Sequence, residues 1–109
     1  MRESEIEKIL VDEVKSLGGR AYKWVSPGND GVPDRIVILP GIRPIFVELK
    51  TETGKLTSLQ QVQIKRLRDL GQWVKIVKGI PGLVLFFEDL GCHNAAARIA
   101  RKHPGGGAK

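Results

Sequence analysis

Asp34, Glu48 and Lys50 are the residues whose types and spacing suit chemistry on an anion. They lie in the stretch GVPDRIVILPGIRPIFVELK, residues 31–50, where two apolar runs, Ile36–Leu39 and Ile45–Leu49, flank Pro40-Gly41-Ile42-Arg43-Pro44. That pattern predicts a short β-hairpin. A turn centred on Gly41 sets Leu39 opposite Arg43 and Asp34 opposite Glu48. Side-chain alternation then puts Asp34, Glu48 and Lys50 on one face. Two carboxylates facing each other across a ladder repel, so the arrangement needs a cation between them. Lys50 is one candidate and a divalent metal ion is the other. A one-residue slip of register would separate the pair. Charged residues at strand ends are ordinarily just solvated, so the hairpin alone does not make a site.

The rest of the composition narrows the class of chemistry. The chain has 109 residues, room for one domain with one core. No apolar stretch approaches the ~20 residues of a membrane span. The N-terminus, MRESEIEK, lacks the apolar segment of a signal peptide, which predicts an intracellular, cytoplasmic protein with no membrane partner. Cys92 is the single cysteine, which excludes an internal disulfide and a Cys-rich zinc site. The net charge of +6 suits a nucleic-acid partner through phosphate neutralisation, and equally suits anionic lipid or plain solubility. A basic chain that gathers a few carboxylates at one place points to a metal-dependent enzyme acting on a polyanion.

The elements that must position these residues are legible from periodicity. Ile6, Ile9, Leu10, Val14 and Leu17 predict an amphipathic helix over Glu3–Leu17, stopped by Gly18-Gly19, with Ser4 and Glu7 in capping-box spacing. Arg20–Val25 reads as a strand, and Ser26–Pro33 as a loop able to approach a phosphodiester backbone. After the hairpin, a helix over Ser58–Leu70 is expected, capped by Thr57 with Gln60 or by Ser58 with Gln61. Its buried stripe is read as Leu59, Val62, Leu67 and Leu70. Gln72–Lys78 is a fourth strand, parallel to the one carrying Glu48 if the helix is the crossover. Pro81–Leu90 suits a helix or a buried strand. The helix is favoured, since Pro81 stands at its start and Gly91 past its end. A short Ala-rich helix over Asn94–Lys102 precedes a flexible Pro104–Gly107. His93 and His103 read as surface residues, and Trp24 and Trp73 as core.

The ordered set of a helical Glu followed by Gly-Gly, then KWVSPGNDGVPDR, FVELK and LTSLQ resembles the VRR-NUC branch of the PD-(D/E)xK nucleases over about residues 3 to 90. The resemblance is to stand-alone, phage-type members. It implies an α/β, restriction-endonuclease-like αβββαβ core, a mixed sheet flanked by helices. It also implies one nuclease domain over 1–91, followed by a C-terminal extension over 92–109.

Carried over residue by residue, the resemblance implies a Mg²⁺ or Mn²⁺ site made by Asp34, Glu48, the Leu49 carbonyl and Glu7. Lys50 would orient water or stabilise phosphate charge, and Gln60 would position Lys50 or the phosphate. Glu3 is the rival of Glu7, and Gln61 of Gln60. The implied activity is structure-selective cleavage of branched DNA, four-way junctions in particular, by a homodimer from a phage or prophage in its bacterial host. The helix over Pro81–Leu90, with Leu83, Phe86, Phe87 and Leu90, carries more apolar surface than a small core needs and is the expected dimer surface, with at least half of those side chains expected in the core itself. A basic DNA-binding module without catalysis is the alternative.

Overall fold

The computed structural model describes residues 1–104. Helix α1 (Glu3–Ser16) forms as its periodicity predicts, with Ile6, Leu10 and Val14 buried at intervals of four. Its start is capped differently from expectation. The Glu5 carboxylate accepts the Arg2 backbone N–H at 2.9 Å, because the helix begins at Glu3 and leaves Ser4 inside it. Glu7 is therefore free of capping duty and turns toward the sheet.

Strands β1 (Arg20–Lys23), β2 (Arg35–Leu39), β3 (Ile42–Lys50) and β4 (Trp73–Lys78) lie side by side in that order. The first two pairings are antiparallel, and β3 with β4 is parallel. Helix α2 (Ser58–Asp69) is the crossover that parallel pairing demands. Helices α3 (Gly79–Asp89) and α4 (His93–Lys102) complete the chain. The architecture is α/β, a mixed sheet flanked by helices, as the resemblance implies.

The hairpin register is correct at the site and shifted at the turn. Arg35 pairs with Val47, Ile36 with Phe46 and Val37 with Ile45, a ladder that brings Asp34 opposite Glu48 one step further. Leu39 pairs with Ile42 instead of Arg43, because β3 carries one extra residue between these pairs. The bulge falls at Arg43-Pro44, where Pro44 has no N–H to give to the ladder.

The two faces of the sheet differ. Val37, Leu39, Ile45, Val47 and Leu49 meet Ile6, Leu10, Val14, Leu83 and Phe87 in the main core. The opposite face carries Phe46, Glu48 and Lys50, and α2 lies over it. Since that face offers charge at its end, α2 packs down mainly through Ile64. The expected stripe is not buried: Leu59, Val62 and Leu70 are exposed, and Leu67 is half-buried.

Residues 79–89 are helical, so the strand alternative falls, although Pro81 sits at the third helical position and not the first. Of the residues named for a dimer surface on this helix, more than the expected half belong to the core. Leu83, Phe86 and Phe87 are inside the core, between the sheet and α4, and Leu90 is half-buried. Ala95, Ala96 and Ile99 of α4 belong to the same core. Arg98 grips the nearly buried Glu13 of α1 through both carboxylate oxygens, at 2.7 and 3.2 Å. The extension expected after residue 91 thus begins as a packed helix. From Gly105 on, the expected flexible stretch lies outside the described residues. No helix among the described residues is long and apolar enough to cross a membrane.

Candidate active site

Asp34 stands just ahead of β2, with its backbone carbonyl accepting the Trp24 N–H at 3.0 Å. Its Oδ2 accepts the Leu49 N–H at 2.8 Å, which pins the carboxylate onto β3 beside Glu48. Glu48 is completely buried. Its Oε2 accepts Gln60 Nε2 at 3.0 Å and lies 3.9 Å from Lys50 Nζ. Its Oε1 is buried with no hydrogen-bond partner. Burial pushes the Glu48 carboxyl up to about 8, and the negative charge of Asp34 adds to the shift. Lys50 pulls the other way. The charge of Glu3 raises it further.

Gln60 reaches Glu48 because of where the cap places it. Thr57 is the N-cap of α2; its Oγ1 accepts the Gln60 N–H at 3.2 Å, and Gln60 Oε1 accepts the Thr57 N–H at 2.9 Å. The side-chain amide is left to donate to Glu48. Gln61 instead donates to the Leu56 carbonyl at 3.4 Å, away from the carboxylates. The Ser26–Pro33 loop closes against the same helix end. Gly31, at φ +89°, approaches so near that a Cβ there would sit 2.6 Å from the Leu59 backbone, and Gln63 holds the Asp30 carbonyl at 3.3 Å.

Helix α1 offers two carboxylates one turn apart. Glu7 Oε2 accepts Arg35 Nε at 2.7 Å, next to Asp34 in the chain, and Arg35 also donates to the Ala21 carbonyl at 3.0 Å. Glu3 is the one whose charge reaches Glu48. Arg35 directly follows Asp34, and nothing in the local sequence marks it as a partner of Glu7. Lys78 stands beside Lys50 only through the β3–β4 register, which sequence spacing does not show.

The residues fit a hard divalent cation. A carboxylate oxygen orphaned in the interior is costly, and a second carboxylate beside it makes the cost larger. Asp34, Glu48 and the Leu49 carbonyl are all oxygen donors of the kind Mg²⁺ and Mn²⁺ prefer. Among the described residues no cluster of three or more His, Cys, Asp or Glu side chains is assembled for a metal, so the set is two carboxylates with backbone.

No family model matches the chain. A protein named "Putative nuclease p44", from Acyrthosiphon pisum secondary endosymbiont phage 1, is 51% identical over 77 residues, 71% of this chain and 83% of that protein. A solved structure described as a VRR_NUC domain matches with a TM-score of 0.64 at 32% identity, covering 70% of this chain and 83% of its own. The chain belongs to the VRR-NUC family of nucleases. In this VRR-NUC domain the buried Glu48, the pinned Asp34 and Lys50 stand together at one end of β3, with Gln60 reaching them from α2.

Proposed function

We propose that this VRR-NUC domain is a metal-dependent, structure-selective endonuclease that hydrolyses phosphodiester bonds in branched DNA, four-way junctions foremost. The observation that carries the reading is Glu48, buried with one oxygen unpartnered, beside a second carboxylate and a single lysine in a basic chain. Asp34, Glu48 and the Leu49 carbonyl would hold Mg²⁺ or Mn²⁺. Glu7, whose Oε2 accepts Arg35 Nε at 2.7 Å, would support them from α1.

When bound, the ion supplies Lewis-acid polarisation of the phosphoryl group and acidifies the attacking water. Lys50 orients that water and offsets charge growing on the phosphate, a task for a donor with no acceptor capacity. Gln60 keeps Glu48 aimed by its side-chain amide, at a helix N-terminus that itself favours an anion.

Cleavage is proposed to be carried out by a homodimer in the host cytoplasm, since a four-way junction has two symmetry-related strands to cut and a two-fold dimer matches that symmetry. The deciding experiment is cleavage of an immobile four-way junction with Mg²⁺ or Mn²⁺ against the same reaction in EDTA. Ion-dependent incision supports the reading. Tight binding without incision under either ion returns the chain to a non-catalytic DNA-binding module.

A further inference from the structure

The parallel ladder sets Lys78 directly beside Lys50, on strands about 4.8 Å apart. Paired residues share a face, so Lys78 stands on the same side of the sheet as Glu48. Beyond β3 the chain turns through Thr51–Gly54, closed by the Gly54 N–H on the Thr51 carbonyl at 3.1 Å, and brings Lys55 back toward the strand end. Lys50, Lys55 and Lys78 then line one pocket of about 390 Å³, with Gln61 at its rim and Leu56 and Ile76 as apolar walls.

Among the described residues, the lysines of this pocket are paired only through Glu48; Glu52, whose carboxylate packs against Gly79 next to Lys78, makes no ion pair with them. Elsewhere Lys8 holds Asp12 at 2.9 Å, Lys65 holds Asp69 at 2.6 Å and the half-buried Lys75 holds Asp89 at 3.0 Å, while Lys15, Lys23 and Lys102 make no ion pair among the described residues. Lys55 and Lys78 make no ion pair among the described residues. Lys50, only 12% exposed in its side chain, has Glu48 alone, at 3.9 Å. Like charges side by side across a ladder destabilise it, and an anion in the pocket relieves that repulsion.

We infer that Lys55 and Lys78 form a second phosphate subsite, which takes the DNA phosphodiester flanking the one held at Lys50. The inference rests on the nuclease reading above for what sits at Lys50. The pocket opens from Lys50 itself, so a strand whose scissile phosphate meets Lys50 continues across it. Cations meet the next phosphate, and the apolar walls of Leu56 and Ile76 meet the sugar between. Lys55 and Lys78 are binding residues for the strand, with no part in the bond-breaking step.

The test is equilibrium binding of an immobile four-way junction in EDTA, across a salt series, so that the readout does not depend on cleavage. Lys55→Ala combined with Lys78→Ala should weaken binding tenfold or more and flatten the slope of log affinity against log salt by about 0.9 for each lysine removed. Lys78→Arg should restore most of the loss, which a folding defect would not allow. Lys15→Ala, at the far end of α1, is the control for deleting charge and should leave the slope unchanged. An unchanged slope in the double variant, an equal change in Lys15→Ala, or no binding by the wild-type chain overturns the subsite. Cleavage is assayed separately with Mg²⁺ or Mn²⁺. Wild-type incision with an unchanged double-variant slope overturns the subsite alone. No incision with a flattened slope overturns the nuclease reading and supports the phosphate contact.

Discussion

Gln60 donates its side-chain amide to Glu48 Oε2 at 3.0 Å while its carbonyl oxygen caps α2 on the Thr57 N–H at 2.9 Å. One side chain thus ties the start of a helix to a buried acid. Thr57→Ala removes half of the cap and should cost about 1 kcal/mol. Gln60→Ala should cost a similar amount and, in addition, lower the cleavage rate at least tenfold, because Glu48 loses its aiming contact. Thermal melts and single-turnover rates on both variants separate the two roles. Equal rate losses would assign the whole effect to the cap.

Removing the chemistry should spare binding. Asp34→Asn and Glu48→Gln are expected to abolish detectable cleavage while DNA binding holds or tightens, since each removes a negative charge facing phosphate. Lys50→Ala should lower turnover by about 10²–10³-fold, the scale of deleting one preorganised group that stabilises transition-state charge, with less effect on metal affinity. Gel shifts beside cleavage assays on the same preparations check both halves. Near wild-type cutting by Asp34→Asn would remove it from the site.

Stability of the metal-free chain should fall as pH rises. The Glu48 carboxyl titrates at about 8 in the fold, against an ordinary value of 4.5. A raised folded pKa favours the protonated native state, so its contribution is complete below about pH 4.5 and lost as pH climbs through 8. The loss is on the order of a few kcal/mol. Glu48→Gln should flatten this slope and exceed the wild type in stability at pH 8. Added Mg²⁺ or Mn²⁺ should recover stability in the wild type at that pH, because it favours the ionised carboxylate. Melts from pH 5 to 8, with and without the ion, are the measurement; a parallel slope in Glu48→Gln contradicts the assignment.

Glu3 and Glu7 are expected to differ in kind. Glu7→Gln loosens Arg35 and should lower stability by about 1 kcal/mol, the scale of one hydrogen bond to a charged group on a partly exposed pair, while weakening metal affinity and cleavage. Glu3→Gln removes only a remote charge and should shift the Glu48 titration downward with a smaller loss of cleavage. Metal titration and pH–rate profiles of the two variants distinguish them. The reverse ranking would move the supporting carboxylate from Glu7 to Glu3.

The proposed dimer is expected at micromolar protein. Sedimentation velocity should show a species of twice the monomer mass, and paired incisions in one junction should weaken on dilution below the dimer range. A monomer at all concentrations that still makes paired cuts would falsify the dimer.

Much of the site was already written in local spacing. The two apolar runs about Pro40–Pro44 determine that a hairpin forms and that Glu48 and Lys50 share a face, by the two-residue period of a strand, while the bulge at Arg43-Pro44 is what sets Asp34 opposite Glu48. The four-residue interval of Ile6, Leu10 and Val14 determined α1, and the paired capping boxes of Thr57 with Gln60 and Ser58 with Gln61 placed the start of α2 to within one residue. These are short-range properties, set by backbone geometry within a few residues.

What the tertiary structure alone decided was which of two equally good local choices meets a partner. Gln60 and Gln61 have the same capping credentials, and only the seat of α2 over β3 selects Gln60 for Glu48. Leu59, Val62 and Leu70 carry a helical period yet stay outside, because the sheet face beneath α2 ends in charge and takes in Ile64 with only part of Leu67. Leu83, Phe86 and Phe87 looked surplus to a small core until α4 enlarged it. The raised Glu48 titration and the meeting of Lys50 with Lys78 likewise depend on burial and on parallel register across a crossover. Periodicity says which side chains share a face; what that face meets is settled by packing between segments far apart in the chain.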